Sequence, residues 1–242
     1  MNRYAKVLAS VGICLAALLA YSEACCAQQT AVTAIDISLE PNATMVHHAE
    51  AVNARLRSVF PKGFSLDASH HPHITMLQRY VRTADLDKVY AAASKVLISH
   101  NVTSLQLKAD KYYYLTDKSL PGLGLSGIVV ETTPKLVELQ QDLIDAVAPY
   151  TVASGTAAAF VTSPADPEIN EATLHYVADY VPEHSGDHLL LHVTTGLGPV
   201  DYLDKMVAEP FQAFTFSPMG ASVFHLGNYG TAQAKLKELK VR

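Results

Sequence analysis

HPHITMLQRYV, His71 to Val81, has the apolar and β-branched content of a strand, yet it carries a histidine and a threonine two residues apart. Side chains alternate across a strand, so His73 and Thr75 share one face while Ile74 and Met76 share the other. Such a polar pair suits either a solvent-facing surface or the floor of a reactive site. The same pattern returns in HLLLHVTTGLG, His188 to Gly198, where His192 and Thr194 flank another β-branched residue, Val193. Two such triplets are close to chance, so their places in the chain have to decide.

The flanking segments put both triplets at matching places. VTAIDISLE (Val32 to Glu40) alternates apolar and polar residues like a half-buried strand. ATMVHHAEAVNARLRSVF (Ala43 to Phe60) has helical spacing and stops before Pro61 and Gly63. After the first histidine strand, TADLDKVYAAASKVLISH (Thr83 to His100) reads as a helix with Thr83 as its N-cap, and SLQLKADKYYYLT (Ser104 to Thr116) as one long or bulged strand. The order then repeats. LSGIVVETT (Leu125 to Thr133) is a strand, and PKLVELQQDLIDAVAPY (Pro134 to Tyr150) is a helix with proline at its first turn, where the missing N–H costs nothing. The second histidine strand follows, then a short helix within VDYLDKMVAEP (Val200 to Pro210) and final strands in FQAFTFSP and GASVFHLGNYG. Internal duplication is the economical explanation. Residues 151–187, rich in Ala, Pro and Gly, break the repeat; they either cover one side of a cleft or form a peripheral excursion.

The first residues stand apart. Arg3 and Lys6 precede an apolar run from Val7 to Ala20, the pattern of a secretory signal peptide ending at Ala27 and too short for a membrane span of roughly 20 residues. A lipid anchor at Cys25 is the alternative. Cys14, Cys25 and Cys26 all precede the expected cut, so the remaining 215 residues rely on a core rather than disulfides, and cysteine catalysis and thiolate metal sites are excluded. Of 18 basic and 23 acidic residues, Arg3, Lys6 and Glu23 fall in the leader, leaving 16 and 22 and a formal charge of −6. Duplex nucleic acid is therefore not an expected partner, whereas a local pocket can still hold a small anion.

HITM and HVTT on equivalent strands of a duplicated α+β chain resemble the paired HxT/S signatures of the 2H phosphoesterase superfamily, which includes RNA 2′,3′-cyclic phosphodiesterases and bacterial 2′-5′ RNA ligase-like proteins. The closing FHLGNYGTAQAKL (Phe224 to Leu236) is similar to the ending of the ligase-like branch, so the resemblance runs from Ile35 to Leu236. It implies an α+β fold of two lobes, with two antiparallel sheets facing each other across a central cleft and helices outside. A single domain over residues 28–242 would hold intertwined lobes near 31–118 and 123–242. Carried over residue by residue, His73 and His192 would be catalytic, Thr75 and Thr194 would bind phosphate oxygens, and no metal or other cofactor would be needed. The resemblance also implies a bacterial exported protein, periplasmic or secreted, and a monomer is expected.

The chemistry suits these residues. Opening a phosphodiester with water needs a base for the nucleophile and an acid for the departing alkoxide, and imidazole supplies both near neutral pH. Each Thr lies ~7 Å along the strand from its own His, so a phosphate between the two strands can touch all four side chains. Pseudosymmetry leaves the acid and the base unassigned. The expected ligand is a small nucleotide or short RNA-end phosphodiester, and ligation is less natural for an exported protein. The rival is a phosphorylated-ligand-binding protein without turnover; a metal-dependent hydrolase comes third.

Arg79 shares strand parity with His73 and Thr75, so it is a candidate phosphate contact, against the commoner fate of a solvated strand-end cation. Among Tyr112, Tyr113 and Tyr114, alternate residues face opposite ways; Tyr112 and Tyr114 are the candidates to stack on a base, as aromatic rings do on single-stranded nucleotides. Thr195 points away from Thr194. His71 with His73, or His188 with His192, could suggest zinc, but four strand residues span about 13 Å. His47, His48, His70, His100, His175, His184 and His225 read as surface or structural residues. Asn42 and Asn101 sit in NxT patterns that matter only in a eukaryotic secretory route.

Overall fold

The computed structural model describes residues 31–67, 70–118, 120–163 and 167–241. The proposed signal peptide, its cleavage point and all three cysteines lie outside them.

Two antiparallel sheets carry the molecule, with helices outside. The first has the order β5 (Thr151–Val152), β2 (Ile74–Arg82), β1 (Val32–Pro41), β8 (Pro218–Leu226) and β9 (Ala232–Glu238). The second has the order β6 (His192–Pro199), β4 (Leu123–Val130), β3 (Leu107–Thr116) and β7 (Phe214–Phe216). Leaving β5 aside, each position in one sheet has a counterpart in the other, as a duplicated chain requires.

The lobes exchange strands. β3 closes the first half of the sequence but pairs with β4, and β8 joins β1. Six residues, 117–122, separate β3 from β4, with Gly122 at φ 75°, and strands joined that closely pair with little loop-closure cost. Hydrophobic pattern identifies a strand but not the sheet that receives it, and β9 was not among the strands read from sequence.

The helices cross over in the same way. α1 (Ala43–Val59) follows β1 yet packs on β6, while α3 (Pro134–Val147) follows β4 yet packs on β2 and against α2 (Leu86–Ser99). Pro134 opens α3 behind Thr133, whose side chain caps it by accepting from the Leu136 N–H. Thr83 does not act as the expected cap for α2: a 3-10 turn over Thr83–Asp85 intervenes, and the Thr83 hydroxyl bonds the Thr33 hydroxyl at 2.8 Å.

Strand β1 is buried on both faces rather than one. Ile35, Ile37 and Leu39 enter the main core with Ile74, Met76, Leu77 and Val81, while Asp36 and Ser38, on the other face, are fully buried too. What covers that polar face is the segment that broke the repeat. It folds as α4 (Glu171–Ala178) and α5 (Tyr180–His184), which pack on β2, with the Tyr80 hydroxyl donating to the Leu174 carbonyl at 3.1 Å. Short α6 (Val200–Val207) covers the second sheet on its outer side.

Both histidine strands bulge one residue after their threonine. Ser38 pairs with Thr75 and Ile37 with Leu77, so Met76 has no partner; Gly127 pairs with Thr194 and Ser126 with Gly196, so Thr195 has none. Each freed carbonyl is taken by a buried amide from the crossing helix. Gln140 of α3 donates to the Met76 carbonyl at 3.1 Å, and Asn53 of α1 donates to the Thr195 carbonyl at 2.9 Å. The same amides reach onward, Gln140 to the His184 carbonyl and Asn53 to Phe64 and Leu66 in the approach to His73. Buried backbone acceptors need partners, and here the partners also fix the strands that carry the histidines.

Candidate active site

His73 immediately precedes β2 and His192 begins β6. Each ring is oriented alike. His73 Nδ1 lies 2.6 Å from the His71 carbonyl and His192 Nδ1 lies 2.9 Å from the Leu190 carbonyl, in both cases two residues back. A carbonyl only accepts, so Nδ1 carries a hydrogen in both rings and Nε2 is left for chemistry. His73, Thr75, His192 and Thr194 are all partly accessible, and β2 and β6 approach until their Cα atoms come within 8 Å. A charge on His73 would push against protonation of His192.

In the first half-site a buried carboxylate dominates. Asp36 Oδ2 accepts from Thr75 Oγ1 at 2.7 Å and Gln78 Nε2 at 3.0 Å, and lies 3.6 Å from His73 Nε2. Its other oxygen accepts from Ser38. Gln78 also donates to the Gly230 carbonyl at 3.0 Å, and the Phe224 ring lies 6.1 Å from that of His73. Thr75 has one hydroxyl proton, and Asp36 holds it.

The second half-site is aromatic. The Tyr113 ring meets His192 edge-on at 4.9 Å, crossing a gap left by Gly127, where a Cβ would collide with the Tyr113 ring and stand 3.0 Å from the Val193 carbonyl. Burial pushes the His192 imidazole down to about 4, partly opposed by its hydrogen bond to Leu190 and reinforced by His73 and His184. The Thr194 hydroxyl has no partner among the described residues.

Helices α4 and α5 supply a wall along the site. Tyr176 packs on His184 at 4.7 Å and edge-on against Tyr180 at 5.8 Å. Burial, helped by the Asp36 charge, pushes the Tyr176 and Tyr180 hydroxyls well above the ordinary phenol range, and burial does the same to Tyr113 with a contribution from Tyr176. These phenols keep their protons and stay hydrogen-bond donors.

Three sequence candidates lie elsewhere. The bulge at Met76 reverses strand parity, so Gln78 rather than Arg79 returns to the Thr75 face; Arg79 pairs with Ile35 on the helix side, half-buried, where desolvation lowers its pKa. Tyr112 and Tyr114 share a row with Ile128 and Ser126 on the outer face, Tyr112 against Phe211 at 4.8 Å and the Tyr114 hydroxyl on Asp204 at 2.5 Å. Tyr113 is the one that faces the histidine. Asp36 and Tyr176 escaped the sequence reading, Tyr113 is not among its stacking candidates, and His184, read as a surface or structural residue, is half-buried against Tyr176 and Tyr180.

No protein-family model matches the chain, and no curated protein matches it by sequence. Among solved structures, TT0787 of Thermus thermophilus is similar over 87% of this chain and 98% of its own, at 13% identity and a TM-score of 0.50. That likeness is one of fold, the two-lobed α+β arrangement. A structure described as a phosphoesterase covers 86% of this chain and 97% of its own at 10% identity, with a TM-score of 0.37.

Proposed function

We propose that this chain is a metal-independent phosphodiesterase that hydrolyses 2′,3′-cyclic or 2′-5′-linked nucleotides, or short RNA ends carrying such linkages, by acid–base catalysis between His73 and His192. The observation that carries this reading is the matched pair of imidazoles: each has Nδ1 tied to a carbonyl two residues back and Nε2 outside any hydrogen bond among the described residues, and each precedes a threonine and a bulge. A phosphate between β2 and β6 would find a proton acceptor and a proton donor, the Thr194 hydroxyl and the protonated phenols.

Water's oxygen would attack phosphorus while one Nε2 removes its proton. The P–O bond to the leaving oxygen breaks with its electron pair on that oxygen, and the other Nε2 protonates it. The products are a phosphomonoester and a free hydroxyl, and exchange with solvent resets both rings.

The test is hydrolysis of 2′,3′-cyclic nucleotides, 2′-5′ dinucleotides and cyclic-phosphate RNA ends in EDTA, with the product phosphate located by NMR. Turnover that disappears in His73→Ala and in His192→Ala is the expected result. Binding without product would move the chain to the ligand-binding reading, and turnover lost to EDTA would move it to a metal-dependent one.

A further inference from the structure

We infer that Asp36 is a positioning residue that makes the two histidines unequal, giving His73 the part of the general acid and His192 that of the general base. The inference rests on the two-histidine reading above and deepens it.

The geometry is local to β1 and β2. With Nδ1–H given to the His71 carbonyl, a neutral His73 would turn a lone pair at Nε2 toward Asp36 Oδ2, 3.6 Å away, whereas a proton there faces an anion. The separation is close enough to hold charge and too long to sequester the proton in a hydrogen bond, so Nε2–H stays available to a leaving oxygen. Shorter bonds from Thr75, Gln78 and Ser38 fix the carboxylate, and its charge reaches the buried Tyr176 and Tyr180 hydroxyls. On the other side, the Tyr113 ring meets His192, charges on His73 and His184 would oppose its protonation, and among the described residues no carboxylate pairs with it. An imidazole in that setting rests neutral with an open Nε2, the state a base needs.

The arrangement also removes Thr75 from the phosphate. Its hydroxyl proton is committed to Asp36, so Thr75 steadies the carboxylate and Thr194 is the threonine left to donate.

Leaving-group dependence separates the two roles, because 4-nitrophenolate departs without an acid while a nucleoside alkoxide does not. The probes are a 2′-5′ dinucleotide and a nucleoside 4-nitrophenyl phosphodiester, assayed with the full chain. In His73→Ala the ratio of dinucleotide to nitrophenyl turnover should fall by about 10²- to 10⁴-fold, the scale of acid catalysis, and in Asp36→Asn it should fall in the same direction. In His192→Ala both rates should fall together and the ratio should hold. Folding is checked by circular dichroism; should Asp36→Asn not fold, the double variant Asp36→Val, Thr75→Val removes donor and acceptor together and must show the same fall. A falling ratio in His192→Ala, or an unchanged one in the Asp36 variants, overturns the assignment while leaving a two-histidine enzyme intact. Full activity in both histidine variants overturns the enzyme reading itself.

Discussion

Both histidine strands bulge at the same place and both imidazoles are oriented by a carbonyl two residues back, but among the described residues only the first has a carboxylate beside it. The second has instead a tyrosine lying across a glycine. Register shows how the halves diverged. Ser38, opposite Thr75, corresponds to Gly127, opposite Thr194, and the neighbouring strands place Ser222 and Tyr113 at matching positions. Duplication supplies the backbone frame, and substitutions on adjacent strands set the polarity of each half. A site built of equal halves has no preferred direction for moving a proton; under the proposed roles, this one would.

The largest effects should come from the imidazoles. His192→Ala and His73→Ala are each expected to lower kcat on a 2′,3′-cyclic nucleotide by about 10²- to 10⁴-fold, the range for positioned acid–base groups. His73→Ala should also raise KM, because it leaves Asp36 as an uncompensated anion facing an anionic substrate, whereas His192→Ala should leave KM nearly unchanged. Steady-state kinetics read both numbers, and equal KM changes would count against the asymmetry.

The threonines sharpen the contrast. Thr194→Val should cost roughly ten- to a hundredfold in kcat, the loss of a hydrogen bond to a charged group, with little change in melting temperature. Thr75→Val should do the opposite, lowering stability by about 1–3 kcal/mol because a buried carboxylate loses a donor, and lowering turnover mainly through His73. Urea denaturation beside kinetics separates the two. Comparable activity losses at unchanged stability would return Thr75 to the phosphate.

Beneath the asymmetry the frame should respond evenly. Asn53→Ala and Gln140→Ala each strip a buried bulge carbonyl of its donor and are expected to destabilise the fold by about 1–3 kcal/mol, by similar amounts in urea. If one proved neutral, the bulge it serves would not depend on its amide.

The frame was largely legible in the sequence and the asymmetry was not, for definite reasons. Period-3.6 patterns gave α1 and α3 close to their observed bounds, Pro134 marked a helix start, and both histidine strands are legible but read as starting at His71 and His188, ahead of their observed starts at Ile74 and His192. Bulges leave no such mark. One unpaired residue at Met76 moved Arg79 to the outer face, and without register nothing in YYY tells which ring faces inward. Gln140 and Asn53 read as polar interruptions of apolar helix faces until the carbonyls they serve are known. Asp36 looked like the wet side of a half-buried strand because its cover, α4 and α5, comes from the segment that broke the repeat.

The pH dependence of stability isolates the second half-site. His192 is held down to about 4 in the fold, against an ordinary imidazole value of about 6.5 in the unfolded chain. Between those values the unfolded chain binds a proton that the folded one refuses, so this residue's contribution to stability is complete above pH 6.5 and declines as pH falls toward 4. Comparing melting temperatures of the native chain and His192→Asn from pH 7.5 to 4.5 should show the native chain losing more on acidification. The carboxylates titrating in the same range are common to both proteins and cancel in the difference. A difference that stays flat would mean that the Tyr113 side of the cleft is wetter than its packing implies. A difference that grows toward acid would mean that the base keeps its open nitrogen well below neutrality, and the acid limb of kcat/KM should then fall below pH 6.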